Sequence, residues 1–304
     1  MSAVRAYLEL ARPFTLLPPA LGVLSGAVTA WGSAHAGKPR VTSDLAEDVI
    51  WGTLMAAVLN AGNNALNQVY DLDIDRVNKP RRPLPAGALS LGQAWAFTIA
   101  SFLLAWLLAW LVDPVGRREC FWIVLFTSVL CWAYSAPPFW TKRRGFLANI
   151  TIAVPRGVLL KVAGWSTVLS IFDLEPWYIG GIFGLFLLGA ASTKDFSDME
   201  GDRAGGCTTL PIVYGVKAAA WMIAPFFVLP FLLIPIGVAA GILTGNPLLL
   251  SVLGASLVLY GGYTVYLLLR RPEELAATEN HPSWTHMYRM MMVAQIGFAL
   301  AYVF

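Results

Sequence analysis

Charged residues are scarce in this chain. Asp, Glu, Lys and Arg make up 13% of its 304 residues, whereas a soluble globular domain carries about 25%. Hydrophobic residues make up 57% of the chain, and several apolar runs reach the ~20 residues that a helix needs to cross a bilayer. Because lipid tolerates only helices or closed barrels, and long unbroken runs exclude a barrel, the composition predicts an all-α, multi-pass integral membrane protein.

Cysteine is also rare. The three cysteines, Cys120, Cys131 and Cys207, have no metal-binding spacing and are too scattered to form a disulfide framework. We expect them to be ordinary small apolar residues. The beginning of the chain has no cleavable signal pattern, because Arg5 and Glu9 precede the first apolar run and no small-residue cleavage site follows it.

Nine membrane spans are predicted, all within one domain over residues 1–304. Residues 1–12 are expected to form an amphipathic helix on the membrane surface, followed by Pro13. The predicted spans are 14–35, 49–70, 91–112, 119–138, 145–170, 176–197, 217–241, 247–269 and 286–304. Two glycine pairs, Gly22-x₃-Gly26 and Gly180-x₃-Gly184, predict close contacts between helices.

Lysine and arginine fall mainly on one side of these spans. The side that includes the N-terminus carries fourteen: Arg5, Arg12, Arg76, Lys79, Arg81, Arg82, Lys142, Arg143, Arg144, Lys194, Arg203, Lys217, Arg270 and Arg271. The other side carries four: Lys38, Arg40, Arg117 and Arg118. Positive residues accumulate in cytoplasmic loops, so the N-terminus is predicted to be cytoplasmic.

A polar stretch follows the second apolar run directly. Asn67, Asp71 and Asp75 step by four residues, so a helix would place them on one face. Three oxygen-bearing side chains on one face form a site for a hard cation such as Mg²⁺. The alternative is a polar helix end that dips into water, but charge at membrane depth is costly and usually functional.

A second acidic stretch repeats this spacing. Asp198 and Asp202 lie 127 residues after Asp71 and Asp75 (198 − 71 = 127 and 202 − 75 = 127). The match predicts two parallel four-helix repeats, 14–138 and 145–269, with 286–304 as an extra helix. Both acidic stretches then lie at the cytoplasmic mouth of the bundle, with the site between the two halves.

Basic side chains accompany the four carboxylates. Five of them, suited to binding a diphosphate, are Lys79, Arg82, Lys142, Lys194 and Arg203. An Mg²⁺-bound diphosphate at the mouth of a lipid-embedded bundle indicates a prenyl diphosphate, whose departure would leave an allylic cation. Tyr70 and Tyr134 are candidates to stabilise that cation with their ring faces, and ordinary interfacial packing is the alternative.

Polar residues inside the fifth span predict a second pocket. Asn149 and Arg156 lie within 145–170, where polar side chains normally face the bundle interior. With Tyr70 they are candidates for a pocket that binds a lipophilic acceptor, although Arg156 could instead pair with a backbone carbonyl. Arg12 could face the cavity mouth or extend to lipid headgroups. The expected partners are a prenyl diphosphate, the acceptor and the bilayer, with no nucleic acid.

Four motifs together resemble the UbiA superfamily of intramembrane prenyltransferases. They are Asn67-x₃-Asp71-x₃-Asp75, Arg82-Pro-Leu84, Tyr134-Ser-Ala-Pro-Pro138 and Lys194-Asp195-x₂-Asp198-x₃-Asp202. The resemblance implies a nine-helix bundle around a central cavity that opens to lipid, and Mg²⁺-dependent prenyl transfer. It also implies that Asn67 and the four aspartates hold the metal, that Arg82, Lys142 and Lys194 hold the diphosphate, and that Asp195 assists as an acid or orients Lys194.

The acceptor stays open at this level. Asn67-Gln68 and Glu200-Gly-Asp-Arg203 resemble chlorophyll synthases, and Val77-Asn-Lys-Pro80 resembles homogentisate prenyltransferases. Arg82-Pro-Leu-Pro-Ala-Gly87 resembles archaeal enzymes that make isoprenoid ether lipids. A repeat-built transporter is the rival class, but its sites would lie at the membrane midplane. A phosphatidyltransferase that uses membrane aspartates and Mg²⁺ is a second rival, and its Asp-Gly-x₂-Ala-Arg signature is absent from the sequence.

Overall fold

The computed structural model of the chain describes residues 2–38, 40–278 and 281–304. These residues form helices joined by loops, and no strand occurs among them. In chain order the helices are α1 (Ala3–Ala11), α2 (Leu17–Gly32), α3 (Ser43–Tyr70), α4 (Leu72–Asn78), α5 (Leu91–Leu111), α6 (Glu119–Ser135), α7 (Phe146–Ala153), α8 (Leu160–Trp165), α9 (Leu174–Ala190), α10 (Met199–Ala204), α11 (Leu210–Tyr214), α12 (Val216–Ile223), α13 (Leu229–Ala239), α14 (Pro247–Leu269), α15 (Glu274–Ala277) and α16 (Pro282–Val303).

Six helical segments are long and apolar enough to cross a membrane. They are Pro13–Gly32, Leu91–Leu111, Phe146–Trp165, Leu174–Thr193, Val216–Ala239 and Pro247–Leu269. Helix α6 is apolar but shorter, at 17 residues. Helices α3 and α16 have 28 and 22 residues, long enough for a span, but their polar side chains lower their hydropathy. The fold is therefore all-α with six apolar spans, and the count of nine and the repeats remain predictions.

Polar side chains on α3 attach the N-terminal segment to the bundle. Asn60, Asn64 and Gln68 step by four residues and lie on one face of the helix. Each donates a hydrogen bond to a backbone carbonyl at the α1–α2 junction: Asn60 to Thr15 (2.8 Å), Asn64 to Ala11 (2.9 Å) and Gln68 to Leu10 (2.8 Å). The amides that lower the hydropathy of α3 thus satisfy the carbonyls at a break in the backbone.

The predicted fifth and sixth spans differ in detail from the structure. The fifth segment ends at Trp165 rather than at residue 170, and a π-helical turn, Val154–Leu159, separates α7 from α8. The α-helix of the sixth span ends at Ala190, and a 3₁₀ turn (Ala191–Thr193) follows. Small polar residues end this helix before residue 197, because Ser192 and Thr193 can bond the local backbone instead of extending the ladder.

Two glycine contacts bring backbones together beside the π-helical turn. A Cβ on Gly164 would lie 2.9 Å from the Cα of Gly26, so α8 and α2 approach to backbone contact. A Cβ on Gly157 would lie 2.5 Å from the Cα of Gly184 in α9. The predicted close contacts at Gly26 and Gly184 are therefore present, as small residues at helix interfaces permit.

Two apolar clusters pack on either side of a central cavity. The larger one includes Phe186, Phe227 and Phe231 and joins α9 to the C-terminal helices. The smaller one includes Met55 and Ile123 and joins α3, α5, α6 and α8. Members of both clusters line the cavity, which therefore lies at the centre of the bundle.

A separate polar network lies at the opposite end of α9. Glu175 is buried in the first turn of this helix and accepts hydrogen bonds from the Tyr302 hydroxyl and from the backbone N–H of Thr244 (2.7 Å). The Nε2 atom of His35 lies 3.7 Å from the same carboxylate. These bonds satisfy a buried carboxylate and connect α16 to the loop before α14.

Candidate active site

A central cavity of about 370 Å³ contains most of the predicted site. One end is lined by aspartates and basic residues, and the other is lined by apolar residues such as Met55, Leu59, Ile123 and Leu159. Along α3 the lining runs from Asp71 to Met55, a rise of about 24 Å for sixteen residues. The cavity thus joins a charged mouth to a long apolar interior.

The first acidic motif retains helical spacing across the α3–α4 break. Backbone hydrogen bonds run from Asp71 N to Asn67 O (2.8 Å) and from Asp75 N to Asp71 O (2.7 Å). Asn67, Asp71 and Asp75 all line the cavity, as the step of four predicts. The side-chain oxygen of Asn67 also accepts a hydrogen bond from the Ser135 hydroxyl, which ties this face to the end of α6.

Each carboxylate of the first motif has its own cation. Asp71 pairs with Lys142 from the loop after α6. Asp75 is buried, and both of its oxygens accept hydrogen bonds from Arg82, at 2.7 and 2.6 Å. Burial raises the pKa of Asp75 despite the Arg82 guanidinium, and burial lowers the pKa of Lys142 to about 8.

The second motif lies against the first across the cavity mouth. The Nζ atom of Lys79 lies 3.2 Å from Asp198 Oδ1, so a cation of the first stretch pairs with an acid of the second. Lys194 Nζ lies 3.8 Å from the same oxygen. Asp202, one turn later, lines the cavity too, and a backbone hydrogen bond from Asp202 N to Asp198 O (3.0 Å) preserves the four-residue step. The structure therefore brings the two acidic pairs together.

Two acids of the second motif form no ion pair within 4 Å of any residue that the structure describes. Burial raises the pKa of Asp195 to about 7, and the neighbouring Asp202 carboxylate adds to this effect. Burial and the Asp198 carboxylate raise the pKa of Asp202 to about 7 as well. The mouth therefore concentrates negative charge that its own cations do not fully compensate.

Asn78 joins the two motifs and was missed as a site residue in the sequence. Its amide nitrogen donates to the backbone carbonyl of Asp198 (3.1 Å), and its amide oxygen accepts from the backbone N–H of Gly201 (2.9 Å). A Cβ on Gly201 would lie 2.4 Å from Asn78 Oδ1, so only glycine permits this approach. No local sequence pattern predicts this contact, because its partners lie about 120 residues apart.

The donor set at the mouth fits a hard divalent cation. The available ligands are carboxylate oxygens and the Asn67 amide oxygen, which Mg²⁺ prefers. Among the described residues, no three His, Cys, Asp or Glu side chains converge as a preformed metal cage. The carboxylates instead contact Lys and Arg, so a bound cation would take over part of the charge compensation that these side chains provide.

Two predicted site residues lie outside the cavity lining. Tyr70 packs edge-on against Trp95 and Trp132, with ring centroids 5.6 and 5.8 Å apart. It follows Asn67 by three residues and so points about 60° away from the cavity face. Arg203 is exposed on α10, because it lies one residue, or about 100°, beyond Asp202. Roles for Tyr70 in an acceptor pocket and for Arg203 in diphosphate binding are not supported by these positions.

The other predicted residues line the cavity, with some additions. Tyr134, Asn149 and Arg156 are part of the lining. Asn149 also donates to Leu188 O (2.8 Å) and Ser192 Oγ (2.7 Å), so its amide holds α7 against the end of α9. Residues that sequence reasoning did not place there include Asn60, Asn63, Asn78, Cys207, Trp284 and Tyr288. For Arg12, left open between cavity and headgroups, the structure shows a position in the lining.

Comparison with known proteins gives one consistent family. The sequence model of the UbiA prenyltransferase family matches residues 20–281. The chain is similar to a digeranylgeranylglyceryl phosphate synthase of Methanococcoides burtonii, with 31% identity over 73% of this chain and 76% of the relative. It is also similar to a chloroplastic chlorophyll synthase of Oryza sativa subsp. japonica, with 30% identity over 71% of this chain. The chain spans about half (56%) of the length of that chlorophyll synthase.

A solved structure shares the fold. A UbiA homologue from Archaeoglobus fulgidus, solved bound to GPP and Mg²⁺, superposes with a TM-score of 0.74 at 21% identity. The match covers 98% of this chain and 99% of the homologue. The bundle described above is therefore the fold of that homologue.

Proposed function

The chain belongs to the UbiA prenyltransferase family, and on that premise we propose that it is an Mg²⁺-dependent enzyme of the membrane that transfers a prenyl chain from its diphosphate to a lipophilic acceptor. One observation carries this proposal above the others. A single cavity joins two facing aspartate motifs, with their basic partners, to an apolar interior about 24 Å deep. A prenyl diphosphate has the same two parts, a multiply charged headgroup and a long apolar tail.

The cytoplasmic mouth is assigned the headgroup. Asp71, Asp75, Asp198 and Asp202, with Asn67, would hold Mg²⁺, which when bound supplies charge neutralisation of the diphosphate leaving group. Lys79, Arg82, Lys142 and Lys194 line the same mouth and would contact the remaining phosphate oxygens. The structure of a homologue solved with GPP and Mg²⁺ supports this assignment by analogy of fold.

The reaction that follows is a substitution at the allylic carbon. The C–O bond to the diphosphate breaks, and the electron pair leaves with the diphosphate. The ring of Tyr134, which lines the cavity, would stabilise the allylic cation by cation–π attraction. A nucleophilic atom of the acceptor then forms the new bond to carbon and loses its proton. The apolar cavity wall excludes water, which would otherwise trap the cation as an alcohol.

The membrane arrangement is part of the same proposal. The six apolar segments together with α3, α6 and α16 would give nine spans, arranged as two four-helix repeats and one extra helix. The excess of Lys and Arg on the N-terminal side supports a cytoplasmic N-terminus and a cytoplasmic active-site mouth. A transporter would require its charged site near the midplane, whereas the acids here lie at the end of α3 and beyond the end of α9.

The acceptor is narrowed by the relatives to two kinds. Digeranylgeranylglyceryl phosphate synthases, including one from Thermococcus gammatolerans, match 98% of this chain and 98% of their own length. Chlorophyll synthases match at similar identity but over about half of their own length. Coverage favours an isoprenoid glyceryl phosphate acceptor, with a chlorophyllide-type or homogentisate-type acceptor as the alternative.

A product assay tests the proposed function. Purified protein in lipid nanodiscs is incubated with Mg²⁺, geranylgeranyl diphosphate and, separately, geranylgeranylglyceryl phosphate, chlorophyllide, homogentisate or hydroxybenzoate. We expect prenylated product from at least one acceptor, detected by mass spectrometry, and none when EDTA replaces Mg²⁺. Metal-independent transfer, or the absence of product with every acceptor together with no binding of the donor, would refute the proposal.

A further inference from the structure

Two cavity cations differ from all the others. Lys79, Arg82, Lys142 and Lys194 each contact a carboxylate of the acidic mouth. Arg12 and Arg156 also line the cavity, but neither guanidinium forms a hydrogen bond or an ion pair with a residue in the described part of the chain. A guanidinium without an anion in a largely apolar cavity is costly, so these two positions require an explanation.

Arg12 is held in place by its backbone. It caps α1 in the left-handed region (φ 57°, ψ 67°), where its backbone N–H donates to Leu8 O. Its own carbonyl accepts a hydrogen bond from the Thr15 hydroxyl (2.8 Å). Asn64 of α3 contacts the carbonyl of Ala11 (2.9 Å) and the hydroxyl of Thr15 (2.8 Å), on either side of Arg12. The bend that directs Arg12 towards the cavity is thus fixed by hydrogen bonds.

Arg156 is held in place by an irregular helix. It lies in the π-helical turn Val154–Leu159, ten residues after Phe146 and nine before Trp165, which is about 14 Å from either end of that segment. Its neighbour Gly157 is in backbone contact with Gly184 of α9. The turn is therefore pressed against α9 on one side, while Arg156 projects on the cavity side. Turns of this kind are frequent at functional sites.

The two arginines are electrostatic neighbours. Arg156 and Arg82 are among the charges that act on Arg12, as is the Asp75 carboxylate. The Arg12–Arg156 pair therefore adjoins the diphosphate end of the cavity without sharing its carboxylates. Two like charges that face one space repel each other, and an anion between them would remove the repulsion.

We propose, as an extension of the proposed function, that Arg12 and Arg156 together form an anion site that binds a carboxylate or phosphate carried by the acceptor. A guanidinium offers donors in a planar fork, which matches the paired oxygens of either group. Binding there holds the acceptor beside the diphosphate end and leaves its reacting atom free to face the allylic carbon. The site selects anionic acceptors and rejects their neutral counterparts.

Matched acceptor pairs test this site. The probes are geranylgeranylglyceryl phosphate against geranylgeranylglycerol, and hydroxybenzoate against its methyl ester, each with Mg²⁺ and geranylgeranyl diphosphate. The variants are Arg12→Gln and Arg156→Gln, with Arg156→Lys as the charge-retaining substitution. The matched control is Arg289→Gln, because Arg289 is exposed on α16, next to the cavity residue Tyr288, and is not part of the lining.

The wild-type protein is expected to favour the anionic member of the pair that it accepts. Each Gln variant should lower kcat/KM for that acceptor about 10- to 100-fold, the usual effect of losing a charge-assisted hydrogen bond. The KM for the prenyl diphosphate should stay unchanged, and Arg156→Lys should recover part of the loss. Arg289→Gln should behave like the wild type.

Three results would overturn the anion site. They are equal use of neutral and anionic acceptors by the wild type, unchanged acceptor kinetics in both Gln variants, and a rise in donor KM with unchanged acceptor KM. The last result would assign the two arginines to the donor and leave the proposed function intact. Equilibrium dialysis with the two glyceryl lipids gives a readout independent of turnover, so a failure of prenyl transfer itself would be seen separately.

Discussion

The two acidic motifs have the same spacing but different surroundings. Asp71 and Asp75 continue a helical ladder from α3 into α4, and each pairs with its own cation. In the second motif the helix breaks at Ala190, two cations share Asp198, and Asp195 and Asp202 form no ion pair within the described residues. The first motif is thus built from local backbone order, whereas the second depends on contacts from the first.

This difference separates what a repeated spacing fixes from what it leaves to the tertiary structure. The step of four aligns carboxylates on one face in both halves, whatever surrounds them. Charge compensation is not repeated, because Lys79 and Asn78 of the first stretch both contact the second, at 3.2 Å and 3.1 Å. We infer that the second motif has the greater need of a divalent cation.

The largest expected effect comes from removing one carboxylate of either motif. Asp71→Ala and Asp198→Ala should each lower kcat by at least about 10²-fold, because leaving-group stabilisation is lost in the transition state. Turnover with geranylgeranyl diphosphate measures the loss, and circular dichroism checks folding. Asp73→Ala is the control, since Asp73 is exposed and pairs only with Arg76. Near-normal activity in either variant would contradict the shared-site interpretation.

A smaller loss is expected from cutting the link between the motifs. Asn78→Ala removes two hydrogen bonds that hold the second motif, and we expect kcat/KM to fall about tenfold. The Mg²⁺ concentration for half-maximal activity should rise, because the carboxylates would no longer be held in position. Gly201→Ala should reproduce both changes by displacing Asn78.

Arg76→Ala provides the control for this link, because Arg76 lies on the same short helix and is exposed. If Asn78→Ala lowered thermal stability but left the Mg²⁺ requirement of the folded fraction unchanged, the contact would be structural only. That result would argue against a dependence of the second motif on the first.

The smallest expected effect is a pH dependence of stability that comes from the second motif. Burial raises the pKa of both Asp195 and Asp202 from the ordinary 3.8 to about 7. Between these values the folded protein holds protons that the unfolded chain has released, so stability should fall as pH rises through this window. Thermal unfolding in detergent with EDTA measures the slope.

Two additions sharpen the pH experiment. The double variant Asp195→Asn/Asp202→Asn should flatten the slope, whereas Asp73→Asn should not. Mg²⁺ should stabilise the wild type more at pH 8 than at pH 6, because a metal ligand must be deprotonated. An unchanged slope in the double variant would mean that the pH dependence arises elsewhere.

The sequence predicted the local parts of the site correctly. A spacing of four residues is enough to align Asn67, Asp71 and Asp75, and the same rule places Asp202 one turn after Asp198. The helical class and the apolar spans followed from run length alone. The family was identifiable from the motifs, because they lie in short stretches of the chain.

Contacts between distant segments could not be predicted in this way. Asn78 and Gly201 meet only because α4 packs against α10, and no periodicity encodes that approach. Tyr70 was assigned to the site by proximity to Asn67, but a helix turns by about 100° per residue, so neighbours in sequence face different environments. The cavity position of Arg12 depends on a left-handed backbone that a bond from α3 supports.

The π-helical turn in the fifth segment makes its length as restrictive as its composition. A π turn contains one residue more than an α turn over the same stretch. Deleting a single residue from Val154–Leu159 would therefore regularise the helix and rotate everything after it by about 100°. Gly164 would then leave its contact with Gly26, and a side chain would enter the seam between α8 and α2. Homologous chains that keep this seam are expected to tolerate substitutions in the turn far better than a change in its residue count.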